Sequence, residues 1–407
     1  MSIGRAILKT GLVILRGIYG PMKLQPVRHK VTIISRQSDR PTTDIALLDD
    51  YLRKAHPDLQ VVTLCRTLEG GSSIGYAFHM LRQMWHMASS SVVLIDGYCI
   101  AVSVLRHRPQ TRVVQMWHAL AAVKKFGWQA VGRPGGRSPE IAKIMNMHGN
   151  YDRILCPSMQ VGRDFARAFG AGEEKLVLLG LPRIDGIMAG DEPLRSRLRE
   201  EYRIPEDREI LLYVPTFRPG ERIPVRDLIG AVDPERFVLV IRLHPLYGEM
   251  EEIPGAGEME EIPGTGEQGG PEDPPAVGEG TGQTCGAEPL RVIADENYSS
   301  YDWLHACDRV ITDYSALSVE ASLTGKPLYF YVYDIDRYEG QVGLNVDPRE
   351  EMPKATARTG GELERILAAD YDDGQRERFR NRYVTVDTDH CTEKLGEYIY
   401  GMGKEAH

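Results

Sequence analysis

From Lys30 onward the chain alternates short apolar runs with longer amphipathic stretches. Residues 31–35, 61–65, 92–96, 112–116, 153–156 and 176–179 are rich in Val, Ile and Leu, the composition of strands buried on both faces. Between them, residues 43–55, 74–88 and 158–169 carry apolar positions at helical spacing, which predicts helices with one inward face. That alternation predicts a parallel sheet covered on both sides. A second series follows Leu181-Pro182-Arg183-Ile184-Asp185. It reads as a helix near 193–203, strands at 209–214, 236–241 and 308–312, a helix at 315–324 and a strand at 327–332. The pattern predicts an α/β protein of two doubly wound, Rossmann-like domains facing each other across a cleft. We place the first at residues 29–188 and the second at 189–407, with helices beyond Gly360 closing the second and crossing back to the first.

Two segments stand outside this alternation. Residues 1–28 contain Arg5, Lys9, Arg16, Lys23 and Arg28 but no acid. On a helical wheel Ile3, Ile7, Leu8, Ile14, Leu15 and Ile18 share one face and Arg5, Lys9 and Arg16 the other. The apolar runs are too short and too interrupted by charge to span a bilayer, and Arg16 breaks up any signal-peptide core. The pattern is that of a basic amphipathic helix lying on an anionic membrane surface. Residues 248–290 are rich in Gly, Pro and Glu and contain a tandem repeat, 248–256 followed by 257–265. Such a stretch buries too little apolar surface to offset its ordering entropy, so it reads as a disordered insertion without a catalytic part.

At 407 residues, 42% hydrophobic and 26% charged, the chain suits two soluble globular domains. The net charge of −9 is local in origin: residues 248–290 hold eleven of the 58 acidic groups and no Lys or Arg. Elsewhere 49 basic groups meet 47 acidic ones, which gives no footprint for nucleic acid. The six cysteines (Cys65, Cys99, Cys156, Cys285, Cys307, Cys391) are scattered, excluding a Cys-x-x-Cys metal or redox motif and favouring a reducing compartment.

Chemistry concentrates where strands end. Asp308 to Pro327 reads as strand, polar turn and helix, with the N–H groups of Tyr314 to Leu317 facing whatever sits above the strand and Ser315 as cap or ligand. A plain helix cap would look the same. Four more clusters occupy strand ends: Gln115-Met116-Trp117-His118, Gly180 to Asp185, Tyr213-Val214-Pro215-Thr216-Phe217-Arg218, and Arg242-Leu243-His244-Pro245. Two Asp-x-Asp sequences, Asp334-Ile335-Asp336 and Asp387-Thr388-Asp389, read as solvated turns rather than a metal site.

Taken in order, Trp117-His118, Gly-x-Pro-Arg-x-Asp at 180–185, Pro215-Thr216-x-Arg218, Arg242-x-His244-Pro245, Ile311-Thr312-Asp313-Tyr314-Ser315, Lys326-Pro327 and Tyr331-x-Tyr333-Asp334 resemble one family. It is the CDP-glycerol glycerophosphotransferases, the primases and polymerases of wall teichoic acid, built on the GT-B fold. The resemblance runs from about Val113 to Tyr338, excluding the insertion. It implies a donor pocket for CDP-glycerol in the second domain, formed by Arg183, Pro215, Thr216, Arg218, Arg242, Asp313, Ser315, Ala316 and Glu320. It implies catalytic roles for His118, as base for the attacking alcohol, and for His244, which with Arg242, Arg183 and the amides at 314–317 would hold the phosphate charge without a metal. The expected partners are CDP-glycerol, a lipid-linked or polymeric hydroxyl acceptor and the cytoplasmic face of the cell membrane, bound peripherally; no cofactor is expected.

Two departures matter. The family shows Trp-His-Gly-Thr-Pro then Leu-Lys, whereas this chain has Trp117-His118-Ala119-Leu120-Ala121-Ala122-Val123-Lys124, one residue longer before the lysine. Ala316 and Glu320 replace a common second Ser and an Asp. Other readings are a CDP-ribitol-dependent transferase, a sugar-nucleotide enzyme of the same fold, and a nucleotide-binding scaffold.

Overall fold

A computed structural model describes residues 3–67, 73–218, 223–243 and 290–405. It contains two six-stranded parallel sheets. The first is built from β1 (Arg28–Ser35), β2 (Gln60–Cys65), β3 (Ser90–Ile95), β4 (Arg112–Gln115), β5 (Arg153–Cys156) and β6 (Leu176–Leu178), in the order β2-β1-β3-β4-β5-β6. The second comprises β7 (Glu209–Val214), β8 (Phe237–Ile241), β9 (Val292–Ala294), β10 (Arg309–Thr312), β11 (Leu328–Tyr331) and β12 (Thr356–Ala357), in the order β12-β11-β10-β7-β8-β9. Every residue of β3, β8 and β11 is buried, as expected for strands covered on both faces.

Chain direction across each sheet reverses between β1 and β3 and between β7 and β10. At such switch points the loops beyond neighbouring strands diverge and leave a crevice at the carboxyl ends. Those loops are Arg36–Gln37 and Asp96 in the first domain, and Pro215–Thr216 and Asp313–Ala316 in the second.

The last helix, Cys391–Glu405, returns to the first domain. Leu395 and Ile399 are fully buried, the Tyr51 hydroxyl donates to Glu397 Oε1 at 2.8 Å, and the Tyr400 ring stacks on His56 at 3.6 Å. Gly396 permits this approach, because a Cβ there would lie 2.3 Å from Cδ1 of Tyr51. The first helix, Ile3–Met22, differs from the wheel reading in which face meets the body. Leu12 and Tyr19 are buried and Leu8 and Leu15 pack beside them, while Arg16 Nε and Lys23 Nζ donate to the carbonyls of Val104 and Arg106. Ile7, Val13, Ile14 and Ile18 remain exposed, as do Phe78 and Trp85 on the helix Ser73–Met87 beside it. Among the described residues no helix is long and apolar enough to cross a membrane. The repeat-bearing insertion at 248–290 lies outside the described residues but for Leu290.

Candidate active site

The crevices of the two domains meet in one cavity of about 820 Å³. Its first-domain wall carries Trp117, His118, Ala119, the run Ala121 to Lys124, and Phe126. Its second-domain wall carries Pro215, Thr216, Arg242, Ser299, Ser300, Ser315, Ala316 and Glu320, with Arg183 and Tyr301 at the junction.

His118 owes its position to a sharp turn after β4. Trp117 adopts a left-handed conformation (φ 59°) that turns the chain; its N–H donates to Gln115 Oε1 at 2.9 Å, and its ring stacks on Phe126 at 4.4 Å. His118 Nδ1 lies 2.9 Å from the carbonyl of Asp96, and a carbonyl only accepts, so Nδ1 carries the hydrogen. Gln37, whose amide is 3.1 Å from the same nitrogen, must then present its oxygen to it. The lone pair is left on Nε2, the tautomer a base requires. Burial, with a smaller push from Arg183, lowers the His118 pKa to about 4 against the pull of the Asp96 carbonyl and Asp44. The ring is therefore neutral at physiological pH. Burial also raises the nearby Asp96 carboxyl to about 6, although Ser35 donates to it.

Arg183 is placed differently from the sequence reading. Its Nε and backbone N–H donate to Asp44 at 2.8 Å, Nη2 ion-pairs with the same carboxylate, Nη1 meets Glu320 Oε1 at 2.8 Å and the Tyr301 hydroxyl at 2.5 Å, and Nη2 also reaches the His118 carbonyl at 2.9 Å. Two carboxylates thus absorb one guanidinium charge, so Arg183 and Glu320 stand at the cavity as an ion-paired tie between domains rather than as open ligands. Burial opposes the Arg183 charge, but Glu320 and Asp44 outweigh it and raise the pKa.

Two further expectations are corrected by geometry. Asp313 is fully buried: its carboxylate accepts the N–H of Thr216 at 2.9 Å and of Tyr314 at 2.5 Å, and pairs with Arg218 at 2.7 Å. Arg218, itself buried, continues to Asp334 at 2.8 Å between the rings of Tyr314, Tyr333 and Tyr338. This strut lies behind the wall and fixes the loops after β7, β10 and β11; neither residue lines the cavity. Of the four amides expected to face a ligand, Tyr314 N–H is engaged by Asp313 and Leu317 N–H by the Ser315 hydroxyl at 3.3 Å, leaving those of Ser315 and Ala316. In the first Asp-x-Asp sequence, read as a solvated turn, the Asp334 carboxylate is instead buried against Arg218 and pairs also with Arg337, while the exposed Asp336 meets Arg349 and Arg358.

Arg242 lines the cavity with Nη1 anchored on the Asp295 carbonyl at 2.7 Å and no carboxylate partner among the described residues. His244 lies outside the described residues. Sequence reasoning missed Asp44, Asp96, Ser299, Ser300 and Tyr301. The Ser299–Asp302 capping box, visible as Ser-x-x-Asp, was the one local signal available for that group.

Two doubly wound domains that close a histidine wall against a wall of hydroxyls and a guanidinium define a GT-B-like fold. The wall teichoic acid polymerase TagF shares it, superposing with a TM-score of 0.69 at 16% identity over 100% of this chain and 99% of that one. A putative UDP-N-acetylglucosamine 2-epimerase from Listeria monocytogenes gives 0.55 at 14% identity over 93% and 98%. The sequence pattern of the CDP-Glycerol:Poly(glycerophosphate) glycerophosphotransferase family matches residues 21–261 and 287–401, and the chain belongs to that family. It is 28% identical to the teichoic acid ribitol-phosphate primase of Bacillus spizizenii, over 96% of this chain and 98% of that protein. It is 26% identical to the teichoic acid glycerol-phosphate primase of Bacillus subtilis, over 65% of this chain and 62% of that one. The family membership makes it a phosphotransferase of teichoic acid synthesis.

Proposed function

We propose that the chain moves glycerol phosphate from CDP-glycerol to a hydroxyl of a lipid-linked or polymeric acceptor, releasing CMP. The observation that carries this reading is the neutral His118 imidazole, lone pair on Nε2, in the same cavity as Arg242, Ser315 and Thr216. The cytidine half occupies the second-domain wall. The acceptor hydroxyl enters beside His118, its oxygen bonds to the β-phosphorus, and its proton passes to Nε2. The bond from that phosphorus to the bridging oxygen breaks, and the electron pair departs with CMP. Arg242, the Ser315 hydroxyl, the two remaining amides at 315–316 and, by its place in the sequence motif, His244 take up charge on the diphosphate. A second reading, CDP-ribitol as donor, is favoured by the ribitol-phosphate primase that matches nearly end to end.

The exposed Ile7, Val13, Ile14 and Ile18, with Phe78 and Trp85 alongside, form an apolar surface with Lys9 on the same helix that suits peripheral attachment to an anionic cytoplasmic leaflet, while Arg5 is ion-paired with Glu140. On this reading the acceptor's lipid end lies in the same membrane. Incubation with CDP-glycerol or CDP-ribitol and a membrane-derived acceptor, following CMP release, separates the two donors. Turnover with CDP-glycerol alone supports the first reading, turnover with CDP-ribitol alone replaces it with the second, and release of UDP from UDP-sugars instead overturns both.

A further inference from the structure

Among the described residues three cationic side chains, Lys124, Arg183 and Arg242, line the cavity, and they differ in what holds them. Arg183 is consumed by Asp44 and Glu320. Arg242 rests on backbone carbonyls. Lys124 is half-buried, and among the described residues its ammonium group has neither an ion pair nor a hydrogen bond.

Its backbone, by contrast, is held firmly, and by the other domain. Lys124 forms an antiparallel bridge with Leu344, Lys125 N–H donates to the Gly343 carbonyl at 3.0 Å, and Asn345 N–H donates to the Val123 carbonyl at 2.8 Å. The Asn345 side chain donates to the Ala122 carbonyl at 3.0 Å and exchanges hydrogen bonds with the Gln129 amide at 2.8 and 3.1 Å. Gly343 has φ 83°, and a Cβ there would lie 2.8 Å from Cδ of Lys125, so the approach depends on glycine. A first-domain loop is thus pinned by second-domain backbone, with Lys124 lining the shared cavity and its neighbour Lys125 outside that lining.

We propose that Lys124 is a substrate-contacting residue whose ammonium binds the non-bridging oxygens of the donor's β-phosphoryl group, the group that is transferred. The inference rests on the donor assignment above and adds the residue that completes the phosphate site from the opposite wall. Position favours the β-phosphate over the α. On the donor reading, a nucleotide along the second domain with its inner phosphate at Arg242 and Ser315 turns its outer phosphorus toward the wall that bears His118 and Lys124. Charge agrees: among the described residues Arg242 and Lys124 are the two cavity-lining cations without a carboxylate partner, and a diphosphate diester brings two negative charges. Burial lowers the Lys124 pKa, partly offset by Asp313, which disfavours an isolated ammonium and favours one neutralised by phosphate.

The test compares the full chain with its Lys124→Gln and Lys124→Arg variants, measuring calorimetric affinity for CMP and for CDP and turnover with whichever CDP-polyol the native chain accepts. CMP carries only the inner phosphate. Lys124→Gln is expected to bind CMP as the native chain does, to lose the extra affinity for CDP, and to turn over on the order of 10²-fold more slowly at saturating donor. Lys124→Arg is expected to recover most of both. Unchanged CDP preference and turnover in Lys124→Gln overturn the proposal, as does an equal loss of CMP and CDP binding. A native chain that binds neither nucleotide overturns the donor reading itself, and this inference with it.

Discussion

Replacing Arg183 by Met tests the tie at the junction of the domains. The side chains of Arg183, Asp44 and Glu320 are only 12%, 1% and 3% exposed, so the substitution strands two carboxylates away from water. Removing one partner of a buried ion pair costs about 3–5 kcal/mol. At roughly 2–4 °C per kcal/mol for domains of this size, the melting midpoint should fall by on the order of 10 °C at neutral pH. The deficit should also depend on pH with a definite sign. Burial already raises the Glu320 pKa while Arg183 pulls it down, so loss of the guanidinium raises it further. A group whose folded pKa exceeds its unfolded value destabilises the fold above that unfolded value and ceases to do so below it. The gap between Arg183→Met and the native chain should therefore narrow on acidification toward the ordinary carboxylate range. Adding Glu320→Gln should restore part of the loss at neutral pH. Thermal melts followed by tryptophan fluorescence from pH 5 to 8 measure all three effects. A variant that melts with the native chain at neutral pH, or a gap that widens on acidification, refutes the buried-charge argument.

Three further outcomes are expected. His118→Gln should lower turnover by about 10²–10⁴-fold with donor affinity retained, and in the native chain acid loss of kcat/KM should set in near pH 4, as Nε2 takes up its proton, rather than near the ordinary value of 6.5; half-loss near 6.5 would contradict the enclosed ring. Joining Tyr247 to Arg291 should leave turnover unchanged, and a folded deletant without activity would show that the repeat-bearing segment takes part. Ile7→Asp with Ile14→Asp should release the chain from anionic vesicles in co-sedimentation while Leu12 and Tyr19 keep the helix in place; persistent binding would remove that surface from the attachment.

Local order was readable where periodicity and caps agree. The helix Thr43–Ala55 and the strands β5 and β7 begin and end where the apolar pattern does. The strands Val292–Ala294 and Thr356–Ala357 escaped notice because runs of three and two residues carry no period. The helix read as 315–324 starts at Leu317 because Ser315 and Ala316 belong to the turn that lines the cavity. Convergence of His118, Arg183, Arg242 and Ser315 followed from their places at strand ends. Which charge meets which did not. Asp44 and Glu320 each lie more than a hundred residues from Arg183 along the chain, so no local pattern pairs them with it, and nothing around Asp44 distinguishes it from a solvated acid. The same distance hid the role of Arg218 and Asp313, whose strut spans three loops that only the folded sheet brings together.

The returning helix Cys391–Glu405 has a consequence for synthesis. Its Leu395 and Ile399 cover a surface of the first domain whose own strands leave the ribosome long before it does. Until that late segment arrives, the earlier half is a translated but uncovered sheet, and a truncated product would carry the same exposed apolar face. Sealing of the first domain therefore waits for residues 391–405, and a chain cut short upstream of residue 391 is expected to be cleared by proteases rather than persist as a half-built binder of donor or acceptor.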